Sequence, residues 1–78
     1  MMVSVKGLPV AVEQLKKKTG QSSNESLALN AGVATSTMRR YAQAKKSDTV
    51  RTHKVFVESF ARYFKQVMKR DPELRILS

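Results

Sequence analysis

Between Leu27 and Tyr41 the chain reads LALNAGVATSTMRRY, and its apolar positions recur at helical intervals, stop at a glycine, then recur again. Leu27, Ala28 and Ala31 fall on one side of a first helix at three- and four-residue spacing. Gly32 can take the positive φ that a sharp turn demands, and Val33 follows as a buried plug. A second helix is predicted to begin in the Ala34-Thr35-Ser36 region, where hydroxyls accept the free amide hydrogens of a first turn. It carries Met38 and Tyr41 inward and Arg39 and Arg40 outward.

The flanking pattern predicts further helices. Residues 1–8 alternate weakly, with Val3 and Val5 on one side and Ser4 and Lys6 on the other, before Gly7 and Pro9 break the run; this reads as an arm or a short edge strand. Pro9 suits the first turn of a helix over residues 9–19, whose stripe of Val10, Val12 or Ala11, and Leu15 ends at Lys16, Lys17, Lys18 and Gly20. The polar loop Gln21-Ser22-Ser23-Asn24 caps the next helix, and Ser22 with Glu25 fits a capping box. Phe56, Phe60, Tyr63 or Phe64, Val67 and Met68 then recur at the helical interval, with Val55, Val57 and Ala61 widening the stripe. These positions predict a long amphipathic helix over residues 49–70 and a short tail at 71–78. The expected fold is therefore all-α: one domain over residues 1–78, a small bundle of about four helices with paired helices at 24–44 and a long C-terminal helix.

Seventy-eight residues allow one small core, of a size that usually supplies only about 3–5 kcal/mol, so oligomerisation is a natural supplement. The aromatic stripe of the long helix is wider than one helix pair can bury. That excess assigns Phe56, Phe60, Phe64, Val67 and Met68 to a homodimer interface. Cysteine is absent, which excludes a disulfide framework and thiolate metal sites and fits a cytoplasmic protein. The single histidine cannot build a metal cage, and no carboxylate pair, Ser-His-Asp grouping or glycine-rich phosphate loop accompanies it. Catalytic residues, cofactors and small-molecule ligands are thus not expected. The N-terminal stretch is interrupted by Lys6, Gly7, Pro9 and Glu13 before any signal-peptide core forms, and no run approaches membrane-spanning length.

Charge changes the picture most. Fifteen Lys and Arg stand against six Asp and Glu, a formal net charge of +9, and the leading explanation is a polyanionic partner. Six of the basic residues fall between Met38 and Lys54, with only Asp48 to oppose them.

A small residue at 28, Gly32, Val33, then Met38 and Tyr41 five and eight positions beyond Val33 is the spacing of a helix-turn-helix. On these residues the chain resembles the Cro and phage-repressor family of DNA-binding proteins. The run GVATSTMRRYAQAKK followed by VRTHKVF also resembles the MerR and excisionase group. However, only a few residues separate Lys46 from Val50, too few for the usual wing hairpin of that group, and a helix precedes the motif. The alternating start resembles the opening of ribbon-helix-helix repressors as well, although Gly7 and Pro9 come early for that arrangement. The Cro-like, wingless reading is favoured.

The resemblance implies residue roles. Thr35, Ser36, Arg39 and Arg40 take the base-reading positions; Arg can fork onto guanine, and Thr or Ser can bond base edges or touch a thymine methyl. Ser23 or Asn24 would present the start of the first helix to phosphate, and Thr37 is a further phosphate candidate. Lys45 and Lys46 would follow the backbone as point charges, and Arg51, His53 and Lys54 lie near the same side. Tyr41 belongs to the core. The implied function is a sequence-specific double-stranded DNA-binding regulator, a dimeric repressor of phage, plasmid or mobile-element type acting by promoter occlusion. An excisionase-like architectural protein, or a protein-interaction module using the aromatic helix, is the alternative.

Overall fold

In a computed structural model that describes residues 1–45 and 48–77, the chain is mixed α/β. Four helices pack with a three-stranded antiparallel sheet, which corrects the all-α expectation. The order is β1 (Met2–Lys6), α1 (Leu8–Thr19), α2 (Asn24–Ala31), α3 (Thr35–Gln43), β2 (Thr49–His53), α4 (Lys54–Met68) and β3 (Arg75–Leu77). The strands lie in the order β2-β1-β3.

The N-terminal segment, expected as an arm or a short edge strand, is a strand but the central one. Val3 pairs with Thr52 and Val5 with Val50 across β1 and β2, while Val5 also faces Ile76 of β3. Alternation does the work: Val3, Val5, Val50 and Thr52 are buried, and Met2, Lys6, Thr49, Arg51 and His53 are exposed. One face of the β1–β2 pair therefore meets the helices and the other meets water. The expected helix over 49–70 is corrected in the same way. Its first five residues form β2, and the helix starts at Lys54, whose amide donates to the Met1 carbonyl at 2.9 Å.

Gly7 joins β1 to α1 at φ 104°. A Cβ there would collide with the Glu73 carbonyl oxygen, so the segment leading into β3 packs directly on this backbone. The core gathers Val3, Val5 and Val50 from the sheet, Leu8, Val12 and Leu15 from α1, Leu27 from α2, Met38 and Tyr41 from α3, and Val57, Phe60 and Phe64 from α4. Phe60 and Phe64 are fully enclosed. Phe60 meets Tyr41 and Phe64 stands beside Phe60, so these two rings serve the core of their own chain rather than a subunit interface. Phe56, Val67 and Met68 remain partly covered at its margin. Among the described residues no helix is long and apolar enough to cross a membrane.

Candidate nucleic-acid interface

The helix pair forms as its residue pattern requires. Ser23 caps α2, its Oγ accepting from the Ser26 amide at 3.4 Å. At the other end Gly32 sits in the left-handed region at φ 73°. The Val33 amide donates to the Ala28 carbonyl at 3.1 Å and the Gly32 amide to Leu29 at 3.4 Å, which closes the helix and turns the chain sharply. Ser59 of α4 fixes the corner from outside: its hydroxyl donates to the Ala31 carbonyl at 2.6 Å. Ala28, Ala31 and Val33 are buried beneath it.

The N-cap of α3 is Ala34, with no side-chain cap bond; the hydroxyls at 35 and 36 follow it inside the helix. Met38 and Tyr41 point into the core without exposure. Tyr41 is the anchor. Its ring meets Phe60 edge-on at 5.6 Å between centroids, and its hydroxyl lies 2.6 Å from the Thr52 hydroxyl of β2, both groups buried. Burial pushes the Tyr41 phenol above its ordinary value, with the Thr52 hydrogen bond and the Arg40 charge acting in the opposite direction. On the adjoining surface the Arg40 guanidinium donates to the Arg51 carbonyl. Two ties, one buried and one exposed, therefore hold α3 against β2.

The outward side of α3 carries Ser36, Arg39 and Arg40, all exposed, with Thr35 half-buried. Arg51 is exposed on the strand to which Arg40 is tied, so these two guanidinium-bearing residues are brought together. His53 and Lys54 are exposed at the junction of β2 and α4, the His53 ring standing edge-on to Phe56 at 5.6 Å. Lys45 is exposed just beyond α3, and Lys46 lies outside the described residues. Ser23 is exposed at the start of α2 and Asn24 is half-buried.

Thr37 is placed differently from the phosphate-facing expectation: it is buried, with only 6% exposure, on the inner side of α3. Gln43 was missed by the sequence reading. It is exposed, and it stands seven residues after Ser36 and four after Arg39, so it extends the same stripe by two turns from Ser36. That spacing was the available signal. A glutamine amide in that position can bond adenine through N6 and N7.

The arrangement presents a short helix, held from behind by a sheet, with hydroxyl, guanidinium and amide groups outward. It offers hydrogen-bond donors and positive charge, and among the described residues there is no group of His, Cys, Asp and Glu that could hold a metal ion. No family model, curated protein or solved structure matches the chain.

Proposed function

We propose that the chain is a sequence-specific double-stranded DNA-binding regulator in which α3 enters the major groove, acting as a repressor of phage, plasmid or mobile-element type through promoter occlusion. The observation that carries the reading is the exposed stripe of Ser36, Arg39 and Gln43, with Arg40 beside it tied to β2, on a helix whose opposite side is locked by Met38 and Tyr41. Groove readout needs outward donors on a helix of fixed orientation. The net charge of +9 supplies the backbone attraction; Lys45 follows the end of α3 and Arg51 lies beside Arg40, with His53 and Lys54 exposed further along at the junction of β2 and α4.

A homodimer completes the proposal, with the contact moved from α4 to the free edge of β3. Ile76 stands opposite buried Val5 yet keeps 53% exposure, and Leu77 keeps 39%. Antiparallel pairing of two β3 edges is self-complementary about a twofold axis and gives each of these side chains a cross-strand neighbour.

Selection of bound duplexes from a random pool tests the function. A palindrome with half-sites about 10 base pairs apart is the expected result, and absence of any duplex binding at low salt refutes it. A protein-interaction role is the second reading, supported by Leu29 and Val55, which stand 82% and 64% exposed without serving the proposed groove contact.

A further inference from the structure

The proposed interface leaves much of the charge unused. Lys16, Lys17 and Lys18 end α1, and Lys65, Lys69 and Arg70 lie at the end of α4. Lysines at one helix end are explained by the macrodipole alone. What the macrodipole does not explain is that the two helix ends are side by side and continuous with α3.

Helix α1 lies between the other two helices. On one flank Lys16 shares a shallow hollow with Ala42 and Ala44 at the end of α3. On the other, Gln14, Lys17 and Lys18 share a hollow with Met68 at the end of α4. Arg70 closes that second seam: its guanidinium donates to Gln14 Oε1 at 3.3 Å and lies 5.3 Å from the centre of the Phe64 ring. The positive surface therefore runs from Lys45 through α1 to the end of α4. Against the seven cations of this band stand Glu13, 3.9 Å from Lys17, Asp71, 4.0 Å from Lys65, and Glu73, which lines a hollow with Gln14. Three carboxylates cannot neutralise seven cations, and the excess positive charge gathered from neighbouring elements favours a polyanionic partner.

We propose that the C-terminal ends of α1 and α4 form a second phosphate-contacting surface, which engages the duplex backbone beyond the base pairs faced by α3. The inference rests on the DNA-binding reading and deepens it. The band begins where α3 ends, so the phosphates it reaches belong to the flank of the site. The longest dimension of the chain is 31 Å, close to one turn of duplex at about 34–36 Å, which leaves the flanking backbone within reach of a surface beside α3. Lysine contacts of this kind add affinity and no sequence preference.

Salt titration of binding by the full chain, on two duplexes carrying the same selected site, tests it. One duplex is minimal and the other is extended by about one helical turn on each side. Each phosphate contact steepens the log–log salt dependence by about 0.9. The wild-type chain should show a slope steeper by about 2–3 on the long duplex than on the short one. The triple variant Lys17→Gln, Lys18→Gln, Lys69→Asn should show one slope on both, with the ranking of site variants unchanged. Lys69 has φ 62°, a conformation that asparagine tolerates well, so this change removes charge without adding backbone strain. Arginine at 17 and 18 should keep the wild-type behaviour. Equal wild-type slopes on the two duplexes overturn the second surface while leaving α3 as the reader. So does a triple variant that melts like wild type and keeps its slope on the long duplex. Failure to bind either duplex overturns the DNA-binding reading and this inference with it.

Discussion

Removing the Tyr41 hydroxyl, by Tyr41→Phe, tests how α3 is held. The hydroxyl lies 2.6 Å from that of Thr52, and the two residues are 0% and 1% exposed. Deleting one partner of such a pair leaves the other buried with no replacement from solvent, which costs about 1–3 kcal/mol. For a domain of this size each kcal/mol lowers Tm by about 4–8 °C. Thr52→Val should cost a similar amount, because it strands the phenol. The double variant removes both polar groups and should lose clearly less than the sum, giving a coupling of about 1–2 kcal/mol. Equilibrium urea unfolding of the four proteins measures the cycle. Additive losses would refute the idea that this hydrogen bond ties α3 to the sheet. The same pair predicts an alkaline limit. Burial raises the Tyr41 phenol in the folded state above the unfolded value of 10.0, so the folded chain holds this proton longer than the unfolded one does. The contribution is intact below the unfolded value and is lost as pH rises through the folded one. Relative to wild type, Tyr41→Phe should therefore lose less stability on going from pH 9 to about pH 11.

Arg39→Ala should relax the base preference at one position of the site and cost about 1–3 kcal/mol in binding, read by gel shift across site variants; uniform loss on every sequence would contradict a base contact. Arg40→Ala should instead weaken all sequences alike and lower stability by about 0.5–1.5 kcal/mol, because its guanidinium is engaged by the Arg51 carbonyl; a preference change equal to that of Arg39→Ala would refute this division. Gly7→Ala forces a Cβ against the Glu73 carbonyl oxygen at a positive φ, so it should displace β3 and destabilise by more than about 1 kcal/mol, visible as a lowered urea midpoint. Ile76→Lys should weaken self-association in analytical ultracentrifugation while leaving the far-ultraviolet dichroism of the monomer unchanged. Unaltered association would move the dimer contact away from β3.

The helix pair was legible because its determinants are local. Leu27, Ala28, Ala31 and Gly32 lie within one short span, and each is placed by its own neighbours in sequence. The sheet was not legible because every one of its pairings is distant. Val3 and Val5 alternate visibly, but only the fold reveals Thr52 and Val50 opposite them. Thr49–His53 also alternates, with β-branched residues at 49, 50 and 52, yet it runs without a break into α4 and its Val50 can be read as part of that helix's stripe. The width of the aromatic stripe misleads in another way: it points Phe60 and Phe64 at a partner, yet both are buried in the core of their own chain, Phe60 edge-on to Tyr41. Arg39 was correctly read as outward from helical spacing, whereas the bond from Arg40 to a β2 carbonyl depended on a strand that local pattern had concealed.

The central position of β1 has a bearing on the order of folding. Its partners His53 to Thr49 and Leu77 to Arg75 come from the middle and far end of the chain, so the sheet closes only after long loops have been brought together, a slow step compared with helix formation. The paired helices can form early from nearby contacts, but the buried hydrogen bond that ties α3 to the sheet forms only when Thr52 arrives beneath Tyr41. Affinity for a specific site should therefore appear late, with the closing of the sheet. Stopped-flow refolding is expected to show helical signal preceding competence to bind. The first strand thus waits for partners from distant parts of the chain, and the tie between Tyr41 of α3 and Thr52 of β2 waits with the sheet.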